Sequence, residues 1–345
     1  MKLNGCAEDF DFNCLIRLGF PRLRIEKAEL ALQKAPISLE GEILLSHPRQ
    51  INLIVSTGRF KARLREAAFY FTEQGYLKTG FREAGLSYQL PEEPCSLLFK
   101  DLEARLDLKD RRFKFAEFES QIYDGHLQGE GYIDLKQRPL KSALNLNLAD
   151  ISANRLSSVL VHFGKVFGQA KMHLFYSSLP QPAVRGQIVV REGYLDRLEF
   201  FIWLAQFFNI PQLNKISFDR LDLDFTLDNR GARLNGINLS SPDVNLSGYY
   251  NLSRERLVSS KISLLLSQKL LRASPDFQAL FKALKQDYPE LEFKFQLSGP
   301  SRAINFKWLK SDFRKRLREK TPAFIQKDIE KKVEDIIRDM KSKNL

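Results

Sequence analysis

Apolar and polar residues alternate with a period of two along most of this chain. In the clearest run, residues 221–228, every second residue is Leu or Phe and the intervening residues are Asp or Thr. The same alternation recurs at residues 142–150, 291–297 and 304–308. Successive side chains of a strand point to opposite faces, so this pattern predicts strands that have one apolar and one polar face.

The alternating runs are short and are separated by turn signals. Residues 228–231 read Asp-Asn-Arg-Gly and residues 298–301 read Ser-Gly-Pro-Ser, both of which are typical of tight connections between strands. One-sided strands belong to antiparallel sheets, whereas a parallel sheet would show continuous apolar strands between regular helices. The sequence therefore predicts a mainly β fold, built as an extended antiparallel sheet with one apolar face.

Four segments show helical periodicity instead. They are residues 152–163, 194–208, 267–286, and a last one from about residue 310 to the end. In the third, Ser274-Pro275 predicts a break at which the helix starts again. We accordingly divide the chain into a sheet region, 1–308, and a basic amphipathic helix, 309–345.

The last helix has an apolar stripe and an opposite face rich in Lys and Arg. Such a helix can dock on a sheet or lie on an anionic membrane surface, and the sequence leaves both alternatives open. The membrane-surface candidates are Arg314, Lys315, Arg316, Arg318, Lys331 and Lys332.

The formal net charge is +12, which suggests an anionic partner, either nucleic acid or lipid headgroups. Platforms that stack bases need aromatic and basic residues on one exposed face. In residues 113–115 and 293–295, however, alternation places Phe and Lys on opposite faces, which disfavours nucleic acid. The chain also has 27 Phe and 2 Trp, and Phe rings lack a polar group, so they should face a core or an apolar ligand.

Sequence motifs for catalysis or metal binding are absent. The chain contains no nucleophile elbow, P-loop or dinucleotide-binding glycine motif, and its 4 His and 3 Cys do not have the spacing of zinc ligands. It also lacks the run of about 18 apolar residues that a membrane-spanning helix needs. We therefore expect a binding or scaffolding protein rather than an enzyme, with no cofactor and no metal.

The order of elements in the last two thirds of the chain resembles the AsmA-like family of bridge-like lipid transfer proteins, which includes TamB. The resemblance is densest at residues 184–308, which are similar to the family's C-terminal region. The matching segments are residues 125–135, 146–151, 185–195, 216–221, 239–248 and 297–300.

The resemblance implies a U-shaped sheet groove, a periplasmic location associated with the inner membrane, and phospholipid transport towards the outer membrane. No apolar run corresponds to the family's membrane anchor, so we expect either a fragment of a longer anchored protein or a module that works with partner proteins of the envelope. The expected ligands are phospholipid acyl chains, and the alternative is a non-enzymatic envelope scaffold or assembly factor with a core closed by helices. The residues expected to line the groove are Leu221, Leu223, Phe225, Leu227, Phe293, Phe295, Phe306 and Trp308.

Overall fold

The computed structural model describes residues 2–7, 10–19, 21–32, 35–44, 51–57, 60–71, 77–89, 94–137, 139–155, 165–275, 277–278, 281 and 289–309. The strands in the first part of the chain are β1 (Lys2–Ala7), β2 (Phe10–Gly19), β3 (Arg22–Leu32), β4 (Ala35–Leu44), β5 (Ile51–Thr57), β6 (Phe60–Phe71), β7 (Leu77–Gln89), β8 (Pro94–Lys109), β9 (Arg112–Ile122), β10 (Gly125–Asp134) and β11 (Lys141–Ser152). Those that follow are β12 (Lys165–Ser177), β13 (Ala183–Asp196), β14 (Lys215–Asp228), β15 (Gly231–Ser240), β16 (Val244–Ser253), β17 (Leu257–Ser267), β18 (Glu290–Pro300) and β19 (Asn305–Trp308). The helices with defined bounds are α1 (Glu199–Phe208), α2 (Gln268–Leu271) and a 3-10 turn (Pro211–Asn214).

The chain forms two compact units, one that ends at Ile151 and one that begins at Ser152. In the first unit, strands β1 to β11 pair antiparallel in sequence order. In the second unit, strands β12 to β19 do the same. This confirms the prediction of a mainly β fold with an open antiparallel sheet and few helices.

The burial of β18 and β14 follows the alternation in the sequence. Every second residue of β18 from Leu291 to Leu297 is buried. In β14, Leu221 and Phe225 are buried and Asp224 is exposed. Asp222 forms an ion pair with Arg220, with 2.6 Å between the Asp222 Oδ2 and the Arg220 Nε. The apolar phase is therefore buried along β18 and at Leu221 and Phe225 of β14, whereas Leu227, the last apolar residue of β14, is exposed.

Several strands contain a bulge at which the alternation changes phase. β13 buries Val190, exposes Arg191 and Glu192 in succession, and then buries Gly193. Glu192 has a φ of 48°, in the left-handed region. Two successive outward residues restore the apolar phase on the far side of the bulge, so one face stays apolar along the whole strand. Acidic residues with a positive φ recur inside other strands, namely Glu66, Asp101, Glu117 and Asp150.

The helix that the sequence predicts at 194–208 begins later in the structure, at Glu199. Tyr194 to Asp196 instead complete β13 and pair with residues 215–217 of β14. The reason is that Leu195 still belongs to the buried phase of the strand, where it is 5% exposed. Asn209 ends α1 in the left-handed conformation, with its amide bonded to carbonyl oxygens of the last helical turn.

The predicted break at residues 274–275 is confirmed. Ser267 caps α2 by accepting a hydrogen bond from the Leu270 amide at 3.2 Å, and helical residues resume at Pro275. Residues 153–155 begin the predicted helix at 152–163, but residues 156–164 lie outside the described residues. The predicted C-terminal helix and its six basic candidates, Arg314, Lys315, Arg316, Arg318, Lys331 and Lys332, also lie outside them. Within the described ranges, no helix combines the length and hydropathy needed to cross a bilayer.

Candidate apolar binding face

Strand register arranges the apolar residues of the second unit in rows that run across its strands. Residues directly opposite each other in an antiparallel pair share a face, so each row belongs to one side of the sheet. The helix-end row consists of Ala170, Val190, Leu221, Leu239, Leu246, Leu264 and Phe293. The turn-end row, on the same face, consists of Tyr176, Val184, Leu227, Ala232, Leu252, Val258 and Gly299.

Helix α1 covers one end of this face with an aromatic cluster. The ring centroids of Phe208 and Phe293 are 4.7 Å apart, and those of Trp203 and Phe306 are 5.3 Å apart. Most of the ring pairs are tilted or edge-on, which is the favoured geometry for aromatic contacts. The aromatic cluster comprises Phe200, Trp203, Phe207, Phe208, Phe277, Phe293, Phe295, Phe306 and Trp308.

Four of the eight predicted lining residues belong to this cluster. Phe293 and Phe295 are fully buried, Trp308 is 8% exposed, and Phe306 is partly exposed. They contact the rings of α1, which the sequence had predicted as a helix but had not placed against β18 and β19. In this arrangement their surface is covered by the protein itself.

The other four lie on β14, and the one nearest the turn, Leu227, is the most exposed. Leu221 is 8% exposed, Leu223 is partly exposed, and Leu227 is 37% exposed. Phe225 is 7% exposed because its ring lies over Gly186 of the neighbouring strand, where an added Cβ would approach the Phe225 Cζ to 2.6 Å. The accessible part of the face is therefore at the turn end.

The first unit carries a similar apolar face, which was not among the predicted lining residues. One row consists of Ile16, Ile25, Gly41, Leu53, Leu64, Ala84 and Phe99. A second row consists of Leu23, Ile43, Ile51, Ala67, Phe81 and Leu102.

Most of the large side chains in these rows are less covered than those of the helix-end row, although Leu102 is buried. Leu53, Leu64 and Phe99 are each partly exposed, whereas Ala67 and Ala84 are buried. Every element among the described residues of this unit is a strand, so no helix is seen to cover the face there. The same two-residue alternation in β3 to β8 would have identified these residues from the sequence.

Polar groups on or near the apolar faces are few and small. Ser260 is 1% exposed and donates a hydrogen bond to the Tyr249 carbonyl at 2.6 Å. Thr79, in the first unit, is 5% exposed and its hydroxyl has no hydrogen-bond partner within the described structure. The faces are therefore suited to an apolar ligand or to burial, and not to a charged one.

Ionic groups lie on the opposite face and at the strand ends. At the end of β10, Asp134 accepts hydrogen bonds from the Lys136 amide at 3.0 Å and from the Arg112 guanidinium at 3.0 Å. The amide, followed by the guanidinium, lowers the pKa of the Asp134 carboxyl below its usual value of 3.8. Across the part of the chain that the structure describes, no cluster of His, Cys, Asp and Glu side chains could hold a metal ion.

The fold and these faces define a class of protein: an open antiparallel β-sheet protein with one apolar side, partly covered by an aromatic helix. Comparisons of the chain with protein-family models, curated proteins and solved structures give no match. The likeness to AsmA-like proteins therefore remains an expectation from the sequence.

Proposed function

We propose that this protein binds the acyl chains of phospholipids on the apolar faces of its two units and takes part in lipid transport or outer-membrane biogenesis. The location that fits this role is the bacterial periplasm, in association with the inner membrane and with other envelope proteins. In this role the protein catalyses no reaction, and the burial of apolar acyl surface drives binding.

The observation that supports the proposal is the partial exposure of the large apolar residues in the first unit. Leu53 and Leu64 pair directly across β5 and β6, and both are partly exposed on the apolar face. Covering apolar surface contributes about 25 cal/mol for each Å² removed from water. A row of such residues would therefore favour a bound acyl chain, because the methylene groups of the chain would cover their exposed apolar surface.

The aromatic cluster favours a second candidate function. Phe293 and Phe295 are fully buried under α1, which is how the core of a self-contained scaffold would look. If the first unit were covered in a comparable way by a partner protein, the chain would act as a non-enzymatic envelope scaffold or assembly factor. The two candidates differ in what contacts the first unit's apolar face.

Photo-crosslinking from single positions separates the two functions. A photoreactive phenylalanine analogue at Leu64, on the apolar face, should form adducts with phospholipid in cells. The matched control is the adjacent Arg63, which is exposed on the opposite face and should form none. Native mass spectrometry of the purified protein should show lipid that co-purifies.

Two outcomes would count against lipid binding. Equal lipid adducts at both positions would show only non-specific contact with membranes. Protein adducts at Leu64, with no lipid adduct and no co-purified lipid, would favour the scaffold.

A further inference from the structure

Four strand connections lie together at one end of the second unit. Neighbouring strands run in opposite directions, so the connections that follow β12, β14, β16 and β18 share an end of the sheet. Backbone hydrogen bonds join successive turns, from the Arg254 amide to the Arg230 carbonyl at 2.9 Å and from the Ser301 amide to the Arg256 carbonyl at 2.9 Å. We call this region, residues 175–183, 227–233, 253–257 and 299–305, the turn end.

The turn end is basic. Its Arg residues outnumber its acidic residues, Asp228 and Glu255, by 5 − 2 = 3. Asp228 pairs with Arg233 at 2.6 Å, so this acidic residue balances one of the Arg charges within the turn end. The remaining Arg side chains, all of them exposed, are Arg230, Arg254, Arg256 and Arg302.

Large apolar side chains are exposed beside these cations. Leu227, 37% exposed near the end of β14, belongs to the turn-end row. Phe175, 44% exposed near the end of β12, and Leu257, 52% exposed at the start of β17, are each one residue out of phase with that row and lie on the other face of the same sheet end. Exposed apolar residues next to Arg fit a surface where headgroups and acyl chains meet, because phosphate binds the guanidinium and the interface accepts apolar side chains. Nucleic acid would satisfy the cations but would leave Leu257 and Phe175 in water.

We propose that the turn end docks on the surface of an anionic phospholipid bilayer. The Arg side chains bind phosphate groups, and Phe175, Leu227 and Leu257 enter the headgroup layer. This docking goes beyond acyl binding and does not depend on it. It would place the turn-end row, the accessible part of the second unit's apolar face, next to the lipid.

Vesicle co-sedimentation of the full chain tests the docking. The probe vesicles contain about 30% phosphatidylglycerol in phosphatidylcholine, and the reference vesicles contain phosphatidylcholine alone. Each basic residue at an anionic surface contributes about five-fold in affinity, so Arg230→Gln with Arg254→Gln should weaken binding about 25-fold. Leu257→Ser should weaken it several-fold with no change in charge.

The matched control removes the same charge elsewhere on the unit. Lys171 and Lys261 are exposed in the middle of β12 and β17, so Lys171→Gln with Lys261→Gln should leave binding within about two-fold of the wild type. Far-UV circular dichroism verifies that each variant is folded. If the double Arg variant does not fold, Arg254→Gln alone and Leu257→Ser carry the test, because both sites are exposed.

Equal binding of the wild type to both kinds of vesicle would overturn the docking, as would equal losses in the Arg and Lys double variants. Binding of cis-parinaric acid in the absence of vesicles reports on the acyl site separately. Binding to anionic vesicles without binding of parinaric acid would contradict the proposed acyl binding and support the docking. The reverse result would sink only the docking.

Discussion

Truncation of Phe293 tests whether the aromatic cluster is a core. Its side chain is fully buried, and its ring centroid lies 4.7 Å from that of Phe208, 5.8 Å from that of Phe277 and 6.0 Å from that of Trp308. A buried Phe removes about 150 Å² from water, which at about 25 cal/mol per Å² amounts to about 4 kcal/mol. Phe293→Ala should therefore lower the free energy of unfolding by about 4 kcal/mol, within the range observed for buried Phe in other proteins.

The assay is urea denaturation followed by tryptophan fluorescence. The chain has 2 Trp, Trp203 and Trp308, and both belong to the aromatic cluster, so the signal reports on this region alone. With an m-value of about 2 kcal/mol/M, the midpoint should fall by about 2 M. Phe175→Ala is the matched control, because that ring is 44% exposed and its loss should cost less than about 1 kcal/mol.

A midpoint for Phe293→Ala within about 0.5 M of the wild type would refute the packing argument. So would equal shifts for the two Phe variants. Phe293 would then be an accessible lining residue, as its position in the sequence had suggested, and α1 would not hold the cluster closed.

Three further predictions follow from the structure and the sequence. Phe225→Glu should lower the melting temperature sharply, because burying an unpaired carboxylate over Gly186 costs several kcal/mol. Leu227→Glu, at a site that is 37% exposed, should remain folded, and equal melting temperatures of the two variants would contradict this reasoning. The lowered pKa of Asp134 makes its charged form stabilising above the unfolded value of 3.8, and this stability is lost as the pH falls through the folded value. The gap in melting temperature between the wild type and Asp134→Asn should therefore shrink from pH 7 to about pH 2, and a constant gap would exclude the ionic contribution. Deletion of residues 323–345 should leave the sheet folded but weaken binding to anionic vesicles, and a loss of thermal stability with unchanged binding would make that segment part of the core.

The sequence predicts the class of fold well because its signal is local. Alternation in a single strand such as β18 reveals which residues face inward, and pairing in sequence order needs only short turns such as residues 228–231. The bulges were harder to foresee. A pair such as Arg191-Glu192 reads as an irregularity in the pattern, yet it is what keeps one face apolar in β13.

The candidate site was less predictable, because it depends on contacts between distant elements. The apolar phase identifies Phe293 as inward-facing but does not reveal that Phe208, 85 residues earlier (293 − 208), lies over it. Conversely, Leu53 and Leu64 also lie on the apolar phase of their strands, and yet they remain partly exposed. Alternation specifies the face of a residue, whereas its accessibility depends on tertiary packing.

The pairing of each strand with its neighbour in sequence has a consequence for how such a protein can change in length. A hairpin inserted between two existing hairpins would find its hydrogen-bonding partners on either side without rearranging the rest of the sheet. Two added strands would widen the apolar face by about 10 Å, since neighbouring strands lie about 4.8 Å apart. The number of strands could thus change by duplication or loss of hairpins, and each new hairpin would fold through contacts with its neighbours in sequence.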